Sequence, residues 1–148
     1  MNKLDRLFQD PIVPCVKQNN IVTSTAKTAI NQQNTELLFD WLEFLRDRHL
    51  NESTIKTYQQ TINLIFCWDV LYNDNTCILQ WDEYDLVSFY TWCIVDNKLK
   101  ANRVRFLRQV LFKFIDYLTQ THPGTCVELL NIQADLRSME RALRNKQK

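Results

Sequence analysis

Three observations in this sequence predict an all-α fold. Its 148 residues include a single glycine, Gly124, and three prolines, Pro11, Pro14 and Pro123, so almost nothing interrupts a helix between residues 15 and 122. Apolar residues recur at spacings of three and four, the period that gathers side chains on one helical face. The turn chemistry that all-β and doubly wound folds need is missing. Hydrophobic residues make up 45% of the chain, enough to bury a core, and the length suits about one domain.

Residues 1–33 are polar and aperiodic, with Pro11, Pro14 and an Asn31-Gln32-Gln33-Asn34 run. They read as a flexible arm, with at most one short turn around Leu4, Leu7 and Phe8. A first helix is expected from about Thr35 to His49, with Leu38, Trp41, Leu42 and Leu45 as its apolar stripe and Asn34 or Thr35 as cap. Asn51 is a good N-cap for a second helix, and Glu52 suits the positive end of its dipole. That helix buries Ile55, Tyr58, Ile62, Ile65 and Phe66 and ends near Tyr72, where Asn73-Asp74-Asn75 breaks it. Cys77 to Trp81 form a connector.

A third helix begins at Asp82, whose carboxylate can cap it, and carries Leu86, Val87, Tyr90, Cys93 and Ile94 to about Asp96. The fourth runs from about Ala101 to Thr121 on Val104, Leu107, Leu111, Phe114 and Leu118, and Pro123-Gly124 stops it. A fifth, about Cys126 to Asn145, shows Leu129, Ile132, Leu136, Met139 and Leu143 at the same spacing. The expected domains are an arm over 1–33, a helical domain over 34–122 and a C-terminal amphipathic helix over 123–148. That helix either folds back over its own bundle, the favoured arrangement, or associates with another chain.

Net charge is only +1, but the charges are segregated. From Thr57 to Asn97 there are six acids (Asp69, Asp74, Asp82, Glu83, Asp85, Asp96) and no Lys or Arg. From Lys98 to Lys113 there are six bases (Lys98, Lys100, Arg103, Arg105, Arg108, Lys113) and no acid. On the fourth helix, Asn102, Arg105, Gln109 and Lys113 fall opposite Val104 and Leu111, with Arg103 and Arg108 flanking. A row of long cations with interleaved amides suits the closely spaced phosphates of duplex DNA, with some base reading. Phe106 and Phe112 lie off the main stripe and are expected to pack against a neighbouring helix. On the second helix, Thr54 and Thr57 occupy the first turns, and Lys56, Gln60 and Asn63 share a face away from the Ile stripe. A helix N-terminus with a hydroxyl and a Lys suits phosphate, although ordinary capping explains the same residues equally well.

Five cysteines (Cys15, Cys67, Cys77, Cys93, Cys126) include no C-x-x-C pair, and neither His49 nor His122 sits at ligand spacing from them. They read as reduced, mostly buried thiols of a cytosolic protein, with no metal and no cofactor expected. No signal peptide is apparent, nor an apolar run near the ~20 residues of a membrane span, so no membrane partner is expected. No Gly-rich phosphate loop, H-E-x-x-H or G-x-S-x-G motif is present.

Trp41-Leu42, then Asn51-x-x-Thr54-Ile55-x-x-Tyr58-x-x-x-Ile62-x-x-Ile65, then Val104-x-x-Leu107-x-x-x-Leu111-x-x-Phe114-x-x-Tyr117-Leu118 form a spaced set. Over residues 34–122 this set resembles the N-terminal core-binding (SAM-like) domain of tyrosine recombinases and phage integrases. The resemblance implies a four-helix bundle, here with an extra C-terminal amphipathic helix. In that family the bundle sits on one side of DNA and clamps it with a catalytic domain opposite. Helices equivalent to the second and fourth face the DNA, which implies roles for Lys56, Thr57 and Gln60 and for Lys100, Asn102, Arg105 and Gln109. The match weakens near Arg103, where the family commonly has a small hydroxyl residue.

The family's catalytic half uses Arg, Lys, an H-x-x-R motif, a further His or Trp and a nucleophilic Tyr. Here His49 is followed by Leu50-Asn51-Glu52 and His122 by Pro123-Gly124-Thr125. The expectation is therefore a non-catalytic module that binds duplex DNA, linked to integration or site-specific recombination as a stand-alone accessory protein, a regulator or a truncated integrase. A separate recombinase chain, or self-association through the C-terminal helix, is a possible partnership. The rival is a helical protein-protein adaptor without direct DNA binding, using the C-terminal helix and the Asp-rich middle as its surfaces.

Overall fold

The computed structural model describes residues 28–147, which fall into two compact units divided between Cys77 and Ile78. Every regular element among the described residues is helical, as expected, and none of these helices is long and apolar enough to cross a membrane. The dividing point lies inside the stretch expected to be one domain. Most of the expected N-terminal arm, residues 1–27, lies outside the described residues.

In the first unit α1 (Gln32–Asp47) packs against α2 (Glu52–Tyr72). Leu37, Leu38, Trp41, Leu42 and Leu45 are buried from α1, and Ile55, Ile62, Ile65 and Phe66 from α2. Trp41 stacks on Tyr58, with centroids 5.6 Å apart and rings 5° from parallel. The turn between the helices needs a left-handed residue, and His49 supplies it at φ 63°. Leu50 N–H then reaches back to the Leu45 carbonyl, and His49 N–H to that of Arg46, closing the end of α1.

The start of α1 corrects the sequence reading. Its N-cap is Asn31, not Asn34 or Thr35, and the Asn31 side chain accepts from Asn34 N–H at 2.8 Å. Asn31 also donates from its backbone N to Asn75 Oδ1 (3.1 Å) and from Nδ2 to the Asn75 carbonyl (2.9 Å). Asn34 is fully buried and donates from Nδ2 to the Thr76 carbonyl at 3.1 Å. The polar run read as arm thus contains an asparagine clasp: Asn31 and Asn34 are satisfied by Asn75 and Thr76, which follow α2. Asp74 and Asn75 make that possible by adopting φ 60° and 52°, conformations that short polar side chains tolerate.

The second unit opens with a single 3-10 turn, Ile78–Gln80, followed by α3 (Glu83–Thr91). Asp82 and Asp85 form a reciprocal capping box at the start of α3, at 3.0 and 2.8 Å. The expected last turn of this helix is instead a π-helix, Trp92–Asp96, closed by Asn97 N–H to the Trp92 carbonyl at 2.9 Å. Widening the turn buries Trp92 and Cys93 and leaves Val95 exposed.

Helix α4 (Ala101–Thr121) has the expected bounds and buries Val104, Leu107, Leu111, Phe114 and Leu118. Gly124 at φ 87° follows it. The single expected C-terminal helix is two: α5 (Val127–Asn131) and α6 (Gln133–Lys146), separated at Ile132. Both pack against α4, so the favoured folding back is what the chain does. Leu129, Ile132 and Leu136 are buried, while Met139 and Leu143 are half-buried. Cys67, Cys77, Cys93 and Cys126 are buried thiols, and Cys15 lies outside the described residues. No group of three or more potential metal ligands occurs among the described residues.

Candidate nucleic-acid interface

Helix α4 turns about 100° per residue, so its apolar stripe fixes what the opposite side presents. Asn102, Arg105, Gln109 and Lys113 are all exposed and form one strip, with Lys100 exposed at the N-cap. From Asn102 to Lys113 the strip rises about 16 Å along the helix axis, enough to follow several phosphates. No carboxylate occurs in it before Asp116. Lys100 provides no side-chain cap for α4; instead Gln147 Oε1 accepts from Ala101 N–H at 3.0 Å.

Of the two flanking arginines, Arg103 stays at the border of the strip and Arg108 does not. Arg103 is half-buried, its guanidinium 5.9 Å from the centroid of the Phe106 ring. Burial pushes that guanidinium below its ordinary pKa, as it also raises the buried Cys93 thiol above the usual range. Arg103 therefore borders the strip with part of its charge committed to an aromatic face.

Arg108 does not belong to the exposed strip. It is buried and donates from Nε to Glu140 Oε2 at 2.5 Å, with Tyr90 Oη donating to the same oxygen at 3.2 Å. Burial, then the neighbouring Glu140 carboxylate, drive the Tyr90 hydroxyl far above its ordinary pKa, so it stays a donor. The physical reason for the correction is helical phase. Val104, Leu111, Phe112 and Ile115 stand at i−4, i+3, i+4 and i+7 from Arg108, and all four are buried. Glu140 was missed for a matching reason: it follows buried Leu136 by four residues, a carboxylate on an apolar stripe.

In the first unit Lys56, Thr57 and Gln60 are exposed on α2. The Thr57 hydroxyl donates back to the Ser53 carbonyl at 3.0 Å, and Asn51 Oδ1 accepts from Ser53 N–H at 2.8 Å. Ordinary capping thus takes up part of the polarity read there as a phosphate site. Thr54 and Asn63 are half-buried. The coherent cationic surface is the one on α4.

No protein-family model matches the chain, and no curated protein or solved structure matches it either.

Proposed function

We propose that this chain is a non-catalytic DNA-binding module, serving DNA integration or site-specific recombination as an accessory or regulatory protein. The observation that carries the reading is the exposed strip Lys100, Asn102, Arg105, Gln109 and Lys113 on α4. Its cations suit backbone phosphates, and Asn102 and Gln109 have the amide geometry that reads base edges. The link to recombination, and a SAM-like four-helix arrangement over 34–122, rest on the spacing of Thr54, Ile55, Tyr58, Leu107, Leu111 and Phe114. In this reading Lys56, Thr57 and Gln60 add a second phosphate contact, and a recombinase supplied by another chain performs the strand chemistry.

The test is fluorescence anisotropy of a labelled duplex across a salt series. Micromolar or weaker affinity that falls steeply with salt is expected, because bound phosphates release counterions. Absence of binding at about 50 mM salt overturns the reading.

A second reading draws on the acidic segment. Tyr84, Val87 and Val95 are exposed, Tyr84 at 77%, beside Asp82, Glu83 and Asp96. Exposed apolar side chains among acids suit a protein partner and would make the chain a helical adaptor. Binding that ignores salt and requires Tyr84 distinguishes it.

A further inference from the structure

Beside the buried Arg108–Glu140 pair, the second unit holds a groove of about 370 Å³ lined from α4, α5 and α6. That volume lies within the roughly 300–1,000 Å³ of small-molecule sites. Three of its lining side chains are cations: Arg108, Lys113 and Arg137. Gln133 adds an amide and Phe112 an apolar wall. The one lining carboxylate, Asp116, already accepts from Gln120 Nε2 at 3.2 Å.

Arg108 makes this more than a charged surface. Its side chain is 7% exposed, and Glu140 engages only Nε. Nη1 and Nη2 have no protein partner among the described residues, yet Arg108 lines the groove. A fork held at Nε by a carboxylate is preorganised, with Nη1 and Nη2 left to meet a planar or tetrahedral oxyanion. Arg137 and Gln133 likewise make no hydrogen bond or ion pair among the described residues.

The geometry points to a phosphate site: the groove takes a phosphate ester on Arg108 Nη1 and Nη2, with Arg137, Lys113 and Gln133 completing the shell. Phe112 suits the sugar or base that such an ester carries. The phosphate comes either from a free nucleotide or from a nucleic-acid backbone. This site is separate from the DNA strip in its essential members, since Arg137 and Gln133 belong to α6.

The experiment is isothermal titration calorimetry of the full chain with AMP, inorganic phosphate and a short unphosphorylated duplex. The Arg137→Ala/Gln133→Ala variant removes exposed and half-buried groove members, so it keeps the fold where an Arg108 variant would endanger it. The expected result is saturable binding of a phosphate probe that this variant weakens about tenfold or more, the factor one charge-assisted hydrogen bond carries. Arg105→Ala should leave AMP and phosphate binding unchanged. A response confined to AMP or phosphate identifies a free ligand, and one confined to the duplex identifies the backbone. The site is refuted if the groove variant binds every probe as tightly as wild type, or if no probe binds. Failure of the DNA reading appears differently, as saturation by AMP without any duplex binding.

Discussion

Arg108 and Glu140, 32 residues apart, meet as an ion pair at 2.5 Å with side chains only 7% and 3% exposed. The pair joins α4 to α6. Breaking it one-sidedly leaves a buried charge. Glu140→Ala is expected to destabilise by about 3–5 kcal/mol. Replacing both partners with apolar residues, Arg108→Met with Glu140→Leu, should cost far less or nothing. Urea denaturation of the two variants checks this; equal losses would refute an electrostatic origin.

On the exposed side of α4, Arg105→Ala with Lys113→Ala should weaken duplex binding while the melting temperature stays close to wild type. Leu111→Ala, in the buried stripe of the same helix, should instead cost about 2–5 kcal/mol. Anisotropy and thermal melts on both variants separate surface from core. Normal binding by the double variant would remove α4 from the DNA interface.

No covalent protein–DNA adduct is expected. Attack on a phosphodiester needs a positioned Tyr within a cationic cluster, and the H-x-x-R element is missing at both histidines, His49 and His122. Incubation with a phosphorothiolate suicide substrate followed by denaturing electrophoresis reads the outcome. A Tyr-linked band would show an active nucleophile.

His49→Gly should stabilise the first unit. His49 sits at φ 63° in the turn that closes α1, a conformation that costs a side chain about 1 kcal/mol and glycine almost nothing. A gain of about that size is expected in chemical denaturation. A loss would mean that the exposed imidazole makes a compensating contact.

The helices were legible where apolar period, cap and breaker agree. Asn51 and Tyr72 delimit α2, and Ala101 to Thr121 delimit α4, as the residues themselves suggest. The π-turn after Thr91 and the break at Ile132 carry no Gly or Pro, so local chemistry does not announce them. Asn31 escaped as a cap because its partner, Asn75, is distant in sequence and acts through tertiary hydrogen bonds. The exposed strip was readable from phase alone. Arg108 was readable too, once Phe112 and Ile115 are counted in the stripe, but charge outweighed phase. Its partner was not, because a charge on an apolar face has no address until the fold supplies one.

Asn31 and Asn34 at the head of α1 hold Asn75 and Thr76 just past the tail of α2, so the hairpin's two open ends are latched to one another. Neither helix can fray at that end without releasing the other, and residues 31–76 should exchange their amide hydrogens as one cooperative block. Tension applied to the chain before Asn31 would cross these side-chain bonds directly to the segment leading into Cys77. Both helices would be bypassed, and they would stay unloaded until the latch itself gave way.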